Sequence, residues 1–426
     1  MFVEPDLSLA LPFENGREKI MKYHIITFGC QMNKNDSERI ESVLLSAGMK
    51  KAEGPEDADL IVLNSCSVRD ASEQRVIGMV HNFNELKKQN PNLKIAVTGC
   101  MPGRDKDGKL KKRLAGVDFY FPTSRGDNFL SISPTRDKKY KAFVTVQTGC
   151  GQYCSYCVVP YARGKEVNRS FQDILQEVRE LAQNGCVEIT LLGQIINNYA
   201  TLDGNFAKLL REINKIDGIQ RVNWTASHPL FMTDDVINAL NLPRQVNYLH
   251  LPVQSGSDDV LRKMNRKHTG DFYIDLIKKI RAKKPDIAIG TDIIVGFCGE
   301  TEDQFQETVD LYKQCDFDIA YLAEYSTRSG TAADKAFKDD IPQKEKKRRW
   351  QVLQDLMEET TLRKNQKFVS QIVSVLVDKC DDGVCVGNSS EMKVVSFAGD
   401  ESLIGKVINV RIHEAKEWIL CGVKSS

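Results

Sequence analysis

The run GCGQYCSYC sets Cys150, Cys154 and Cys157 at a C-x3-C-x2-C spacing, directly after a strand-like segment. Three thiolates on one short loop are one fewer than a 4Fe-4S cube takes. They would hold three irons and leave the fourth free to bind an outside molecule and do chemistry on it. Zinc competes for the same residue type, but structural zinc usually closes a tetrahedron with two ligand pairs, and no fourth Cys or His stands near this loop. Buried cysteines with no ligand role are the third reading.

A second set of thiols is spread through the upstream chain, yet regularly placed. Residues 22–27 (KYHIIT), 59–64 (DLIVLN) and 93–98 (LKIAVT) read as buried strands, and 34–48 and 69–89 as helices. Each strand ends close to a cysteine: Cys30 in TFGCQMN, Cys66 in NSCSVRD and Cys100 in TGCMPGR. Alternating strands and helices imply an α/β fold with an open parallel sheet and flanking helices, whose strands bring their carboxyl ends to one edge. Cysteines 36 and 34 residues apart therefore meet there in a second three-thiolate site, unless they are three independent core cysteines. Gly29 and Gly99, each directly before its cysteine, fit a turn that lets the backbone approach an inorganic cofactor, or plain turn punctuation.

Downstream, strand-like runs recur near 142–147, 188–192, 222–226, 247–251, 287–295 and 319–325, with helices between them. The helix over 171–184 follows Ser170, ends at Gly185 and places Phe171, Ile174, Leu175, Val178, Leu181 and Ala182 on one face; the helix after Thr301 carries a capping box with Gln304. Six such units predict a central partial (β/α)6 barrel with the Cys150 loop at its carboxyl face, where barrels of this kind keep their active sites. Polar residues gather at the same strand ends: Gln194 after Gly193, His228 after Ser227, Gln254 before Ser255, then Asp292 and Glu300 in TDIIVGFCGE. A cofactor bearing an amine, a carboxylate, a ribose and an adenine needs several hydrogen-bonding groups around one mouth, which makes Gln194, His228, Gln254 and Asp292 the candidate contacts. Caps and turn formers look the same in sequence, and His228 before Pro229 also fits a turn histidine.

The 426 residues, 41% apolar and 27% charged, have the mix of a soluble chain of two or three domains. No run approaches the roughly 18 apolar residues of a spanning helix, so no membrane is expected. Residues 1–21 read as a loose extension, too acidic and broken for a signal peptide. Twelve cysteines without a secretion signal favour a reducing cytoplasm and metal or thiol chemistry over disulfides. Among the rest, Cys186 and Cys315 read as buried packing, Cys380, Cys385 and Cys421 as structural, and Cys298 stays outside the ligand sets. From about residue 366, five short alternating runs predict a small all-β barrel. The stretch from Lys344 before it (KEKKRRW) is a helix whose basic head faces either phosphate or solvent. Net charge does not announce nucleic acid: the chain is +1, and residues 366–426 carry seven Lys or Arg against eight Asp or Glu. Local patches at GKLKKR, RGKEVNR and RKMNRKH would permit phosphate contacts.

The first loop resembles the radical S-adenosylmethionine (SAM) superfamily, and the order of motifs resembles its methylthiotransferase family: TFGCQMNKNDSE, NSCSVRDAS, GCGQYCSYCVVPYARG, LPVQSGS and TDIIVGF. The resemblance covers nearly everything after residue 21 and divides the chain into an amino-terminal domain (22–136), a radical SAM core (137–365) and a TRAM barrel (366–426). It implies two 4Fe-4S clusters, an auxiliary one on Cys30, Cys66 and Cys100 and a radical-generating one on Cys150, Cys154 and Cys157, together with SAM. Gln31-Met32-Asn33 resembles the branch that methylthiolates N6-isopentenyladenosine beside the tRNA anticodon, one SAM giving its methyl to sulfur and another the radical that takes hydrogen from C2. Sister branches act on threonylcarbamoyl-adenosine or on an aspartate of a ribosomal protein, and a non-catalytic iron-sulfur RNA-binding or sensor protein is the rival of another class. The family implies a tRNA anticodon stem-loop as partner, a flavodoxin- or ferredoxin-like electron donor, a sulfur source and a monomer. Two departures stand out: Cys298 where the family shows proline, and Ile195 where the branch shows asparagine.

Overall fold

The computed structural model describes residues 13–14, 17–18, 20–123 and 127–425. Most of the extension expected over residues 1–21 lies outside the described residues; within it Phe13–Glu14 pairs antiparallel with Arg17–Glu18, and Met21 is buried in the first unit's core, so the extension ends one residue earlier than expected. Two compact units emerge: the first includes residues up to Arg136 and takes back Val158–Lys165, and the second holds Asp137–Cys157 and everything from Glu166 onward.

In the first unit, β1 (Lys22–Thr27), β2 (Lys50–Lys51), β3 (Leu60–Ser65), β4 (Lys94–Gly99) and β5 (Phe119–Tyr120) form one parallel sheet in the order β2-β1-β3-β4-β5. Helices α1 (Gln31–Ser46) and α2 (Asp70–Gln89) connect the principal strands. Alternate residues of β3 supply two cores because side chains alternate across a strand. Ile61 and Leu63 pack with Val76, Val80 and Phe83 of α2, whereas Leu60 and Val62 pack with Tyr23 and Leu44. A strand buried on both faces reads as an unbroken apolar run, hence DLIVLN. The three long strands and both helices lie where the sequence places them, within a few residues; β2 and β5, two residues each, leave no periodic signal.

The second unit carries the barrel. Strands β6 (Lys141–Thr145), β7 (Glu188–Leu192) and β8 (Arg221–Trp224) pair in parallel, as do β9 (Tyr248–His250), β10 (Ala288–Val295) and β11 (Ile319–Glu324). A parallel bridge from Val222 to Gln245 joins the two sets, giving six strands in chain order. The third strand is shorter than the sequence suggests: it stops at Trp224, and Ala226 turns the chain at φ +65°. Of the helices, one over Phe171–Gln183 buries Phe171, Ile174, Leu175 and Val178, and one over Glu302–Cys315 carries the expected capping box between Thr301 and Gln304. The same unit ends in a closed five-stranded barrel: β12 (Ile372–Asp381), β13 (Val384–Ser389), β14 (Val394–Ala398), β15 (Val407–Ala415) and β16 (Leu420–Lys424), in the order β12-β13-β14-β16-β15. Closure removes the sheet edges.

This small barrel is fastened to the core. Arg221 donates to the Ser389 carbonyl at 2.7 Å, the Asn247 N–H donates to Ser390 Oγ at 2.9 Å, and Tyr140 donates to the Asp378 carbonyl at 2.9 Å. The helix Gln343–Gln366 leads into it, and Asn365 near that helix's end donates to the Lys416 and Glu417 carbonyls. The basic head of that helix is partly consumed inside the fold. Arg349 pairs with buried Glu300 at 2.8 Å and Lys346 with Asp339 at 2.6 Å, leaving Lys344, Lys347 and Arg348 exposed. Cys380 and Cys385 face each other across β12 and β13 and are joined as a disulfide; the structural reading of both stands, but the preference for metal or thiol chemistry over disulfides fails at this pair. Cross-strand register brings their Cα atoms to 4.0 Å, a proximity that spacing in sequence does not reveal.

Candidate active site

The first set of thiols is assembled by sheet topology. Cys30 precedes α1, Cys66 follows β3, and Cys100 opens the short helix α3 (Cys100–Arg104) after β4. The turns that carry Gly29 and Gly99 have no room for a side chain at either position. A Cβ on Gly29, at φ +96°, would lie 2.5 Å from Cys66 Cβ and 2.7 Å from its sulfur; one on Gly99, at φ +93°, would lie 2.3 Å from the Ser65 carbonyl oxygen. Both glycines therefore serve the close approach and are more than turn punctuation.

Asn33, buried on the first turns of α1, is the hub. Its Nδ2 donates to the Phe28 and Ser65 carbonyls at 2.8 and 2.9 Å, which orients its Oδ1 toward the sulfurs of Cys30 (3.9 Å) and Cys100 (4.0 Å). Burial pushes the Cys66 thiol up to about 11, with the charges of Cys100 and Cys30 adding to the effect. Burial likewise raises Cys100, opposed by Arg163. Both shifts come first from burial, and a metal bound there would take up the thiolate charge.

The second set lies on one loop. It is pinned from below: the Ser155 N–H donates to the Met264 carbonyl at 2.9 Å, Ser155 Oγ to the Lys263 carbonyl at 2.7 Å, and Asn265 Nδ2 to the Tyr153 carbonyl at 2.9 Å. The Gln152 N–H points at Cys150 Sγ at 3.5 Å, and Arg266 Nη1 lies 3.8 Å from Cys154 Sγ. Among the described residues no three His, Cys, Asp or Glu side chains close on a point as a single ion requires. A cube, unlike a single ion, needs its sulfurs set apart by its own width. In each set the donors are three thiols at a mouth of parallel strands, a donor chemistry that fits an iron-sulfur cluster.

From Cys154 a chain of contacts leads to the expected cofactor residues. Arg266 Nη2 donates to the Pro252 carbonyl at 3.0 Å, His268 Nε2 approaches the Val253 carbonyl at 3.3 Å, and the Gln254 N–H donates to the Asp292 carbonyl at 2.9 Å. Gln254 sits at φ +76°, a strained position for a residue with a side chain. Asp292 lies within β10 and not at its end, its carboxylate 3.2 Å from His250 Nε2. His228 is clamped by Asn197, which donates to its carbonyl and accepts from its N–H, both at 2.9 Å. Its Nδ1 accepts the Leu230 N–H at 3.3 Å, so the turn-histidine reading holds for that nitrogen and leaves Nε2 as the N–H donor. Burial first, then Arg266 and His268, pull His228 down to about 2 and keep it neutral. Gln194 is half-buried just past β7, in the turn that also carries Asn197. Ser227, Ser255 and Glu300 are taken up by the fold: Ser227 accepts from Trp224, Ser255 meets Thr308, and Glu300 accepts from Arg349 and the Gly296 N–H.

Two arginines of the basic patches lie elsewhere than their sequence context implies. Arg163 and Arg266 fall inside the basic patches RGKEVNR and RKMNRKH, yet both are buried beside cysteines and unavailable to phosphate, whereas Lys109, Lys111, Lys112 and Arg113 of GKLKKR remain exposed. Arg266, two residues before His268, could be suspected from its place beside a candidate site; Arg163 is placed by tertiary contact alone. The departures are benign for the thiols: Cys298 is packed against Phe297 and Tyr325, and Ile195 is buried with its N–H donated to Gln147.

Residues 144–312 match the Radical SAM superfamily, 22–122 an uncharacterized family designated UPF0004, and 366–424 the TRAM domain. The class is thus that of radical SAM proteins with a TRAM barrel appended. An alignment of 442 residues is 41% identical to the tRNA-2-methylthio-N(6)-dimethylallyladenosine synthase of Thermoanaerobacter sp. (strain X514), covering 96% of this chain and 94% of that one. The enzyme of the same name from Geobacillus kaustophilus (strain HTA426) is 39% identical over 451 residues, covering 98% and 84%. The chain belongs to the family of tRNA-2-methylthio-N(6)-dimethylallyladenosine synthases. In fold alone it is similar to the radical SAM methyltransferase TsrM from Kitasatospora setae, with a TM-score of 0.52 at 12% identity over 74% of each chain. No helix among the described residues is long and apolar enough to cross a membrane.

Proposed function

We propose that this protein converts N6-isopentenyladenosine next to the tRNA anticodon into its 2-methylthio derivative, with Cys150, Cys154 and Cys157 holding a radical-generating 4Fe-4S cluster and Cys30, Cys66 and Cys100 an auxiliary one. The observation that carries this reading is a pair of separate thiol triads, both inside the length aligned with relatives named for that product. Clusters held on these two triads would, together with SAM, supply radical chemistry and the sulfur and methyl that end on the adenine. The chain's own residues position them. Gln194, His228 and Gln254, which follow β7, β8 and β9, together with Asp292 inside β10, bind the cofactor's polar groups; His228, held neutral, offers an Nε2–H donor to an acceptor there. The small barrel holds the anticodon stem-loop, where an unstacked base is accessible. The same reading divides the work over residues 22–136, 137–365 and 366–426, and gives the protein a cytoplasmic place, a monomeric state, a flavodoxin- or ferredoxin-like electron donor and a separate sulfur source.

Anaerobic assays with SAM, dithionite and isopentenylated tRNA test it by mass spectrometry. Cys150→Ala should abolish 5'-deoxyadenosine, while Cys66→Ala should still cleave SAM yet yield no methylthio nucleoside. Equal behaviour of the two variants refutes the division of roles. A wild-type protein that binds tRNA but forms no deoxyadenosine is a sensor and not an enzyme.

A further inference from the structure

Arg163 follows the second triad by six residues, but its side chain belongs to the first. The side chain is 9% exposed, and its Nη2 donates to Asn33 Oδ1 at 2.7 Å and to Asp36 Oδ2 at 2.6 Å. Asn33 and Asp36 are buried in turn, at 0% and 2% exposure, so water and salt screen these charges little. The sulfurs of Cys30 and Cys100 stand around the same Asn33 oxygen. The Arg163 guanidinium, 2.7 Å from that oxygen, therefore stands close enough to both thiols to act on their charge. The first triad therefore faces a buried permanent cation that has one carboxylate for a partner.

We infer that Arg163, opposed by Asp36, sets the reduction potential of the cluster held by Cys30, Cys66 and Cys100: the guanidinium favours the reduced, more negative form, and the carboxylate limits that preference. The inference rests on the proposed cluster at this triad. Potentials of thiolate-held clusters respond to net charge near the sulfurs, and Arg163 fixes a permanent positive charge there through its donors to Asn33 and Asp36. A purely structural tie is the competing role, since Arg163 also fastens its short helix (Val159–Arg163) to α1, and a Cβ on Gly103 of α3 would lie 2.2 Å from the Ala162 carbonyl oxygen. The two roles part at Asp36, which is an ally of Arg163 in a tie and its opponent in charge.

The test uses the full-length chain with Cys150, Cys154 and Cys157 replaced by alanine, so that one cluster signal remains, and follows its reduction by EPR during a dithionite titration. In R163Q the ratio of reduced to oxidised cluster at a given potential should fall at least about tenfold, a midpoint lower by about 59 mV for one electron. D36N should raise that ratio, and R163K should stay within about threefold of the parent. Shifts of R163Q and D36N in the same direction, or no shift in either, overturn the inference and leave a tie. Should R163Q fail to retain iron, D36N against R163K decides: an upward shift in D36N alone supports the charge role, and anything else overturns it. A parent with no reducible signal would overturn the cluster itself, a result distinct from an unshifted one.

Discussion

The two thiol triads are built on opposite plans. Cys30, Cys66 and Cys100 arrive from three strand ends spread over some seventy residues, so their meeting depends on the register of a whole sheet. Cys150, Cys154 and Cys157 share one loop, whose shape depends on a few hydrogen bonds from Ser155 and Asn265. Backbone at the first set is crowded to contact, whereas Gly151 in the second meets nothing within 4 Å. A site made by topology tolerates no side chain at its turn glycines; a site made by a loop tolerates changes that leave its pins alone.

The largest break in that contrast is expected at Gly99. Its φ of +93° and ψ of −149° lie in a region open essentially to glycine, and a Cβ would strike the Ser65 backbone. Gly99→Ala should cost about 3 kcal/mol or more in urea unfolding and lower bound iron from about eight to about four per chain, with the second triad still filled. A variant that keeps all its iron would show that the sheet edge is softer than its packing implies.

Next in size is a pH effect in the unit that carries the loop triad. His228 is depressed to about 2 and His268 to about 4, each mainly by burial, while both titrate near 6.5 when unfolded. The unfolded chain then binds protons that the folded chain refuses. Stability is therefore full above about pH 6.5 and falls below it by about 1.4 kcal/mol per pH unit for each histidine. In metal-free protein, His228→Asn, which retains an acceptor for the Leu230 N–H, should remove one histidine's share of that slope between pH 6 and 5. An unchanged slope would mean that His228 is not buried neutral.

The smallest effect sharpens the contrast from the other side. Gly151→Ala should change stability by less than about 0.5 kcal/mol and leave iron content and deoxyadenosine formation as they were, because the added methyl enters open space. Loss of the second cluster in this variant would show that loop and sheet are equally intolerant.

Much of this was legible in the residues. Strand–helix alternation and buried apolar runs located β1, β3 and β4 and the parallel sheet, because burial on both faces leaves an unbroken signal. Cysteine spacing marked both triads for the same reason: thiols recur at strand ends or crowd a loop. What escaped was set by tertiary proximity. Nothing in RGKEVNR distinguishes an arginine buried against Asp36 from one facing solvent, and nothing in the spacing of Cys380 and Cys385 says that two strands set them opposite each other. The partner of Glu300 is Arg349, 49 residues on, a pairing that only the folded chain displays.

The fastening of the terminal barrel has a mechanical corollary. Arg221, Asn247 and Tyr140 grip it from the core, and Asn365 locks the approaching helix to the Lys416–Glu417 turn. A module on a slack tether searches a volume and reaches its target by effective concentration. This one behaves as a jig: whatever it grasps is offered to the barrel mouth at one fixed span and angle, so reach is decided by shape and not by chance encounter.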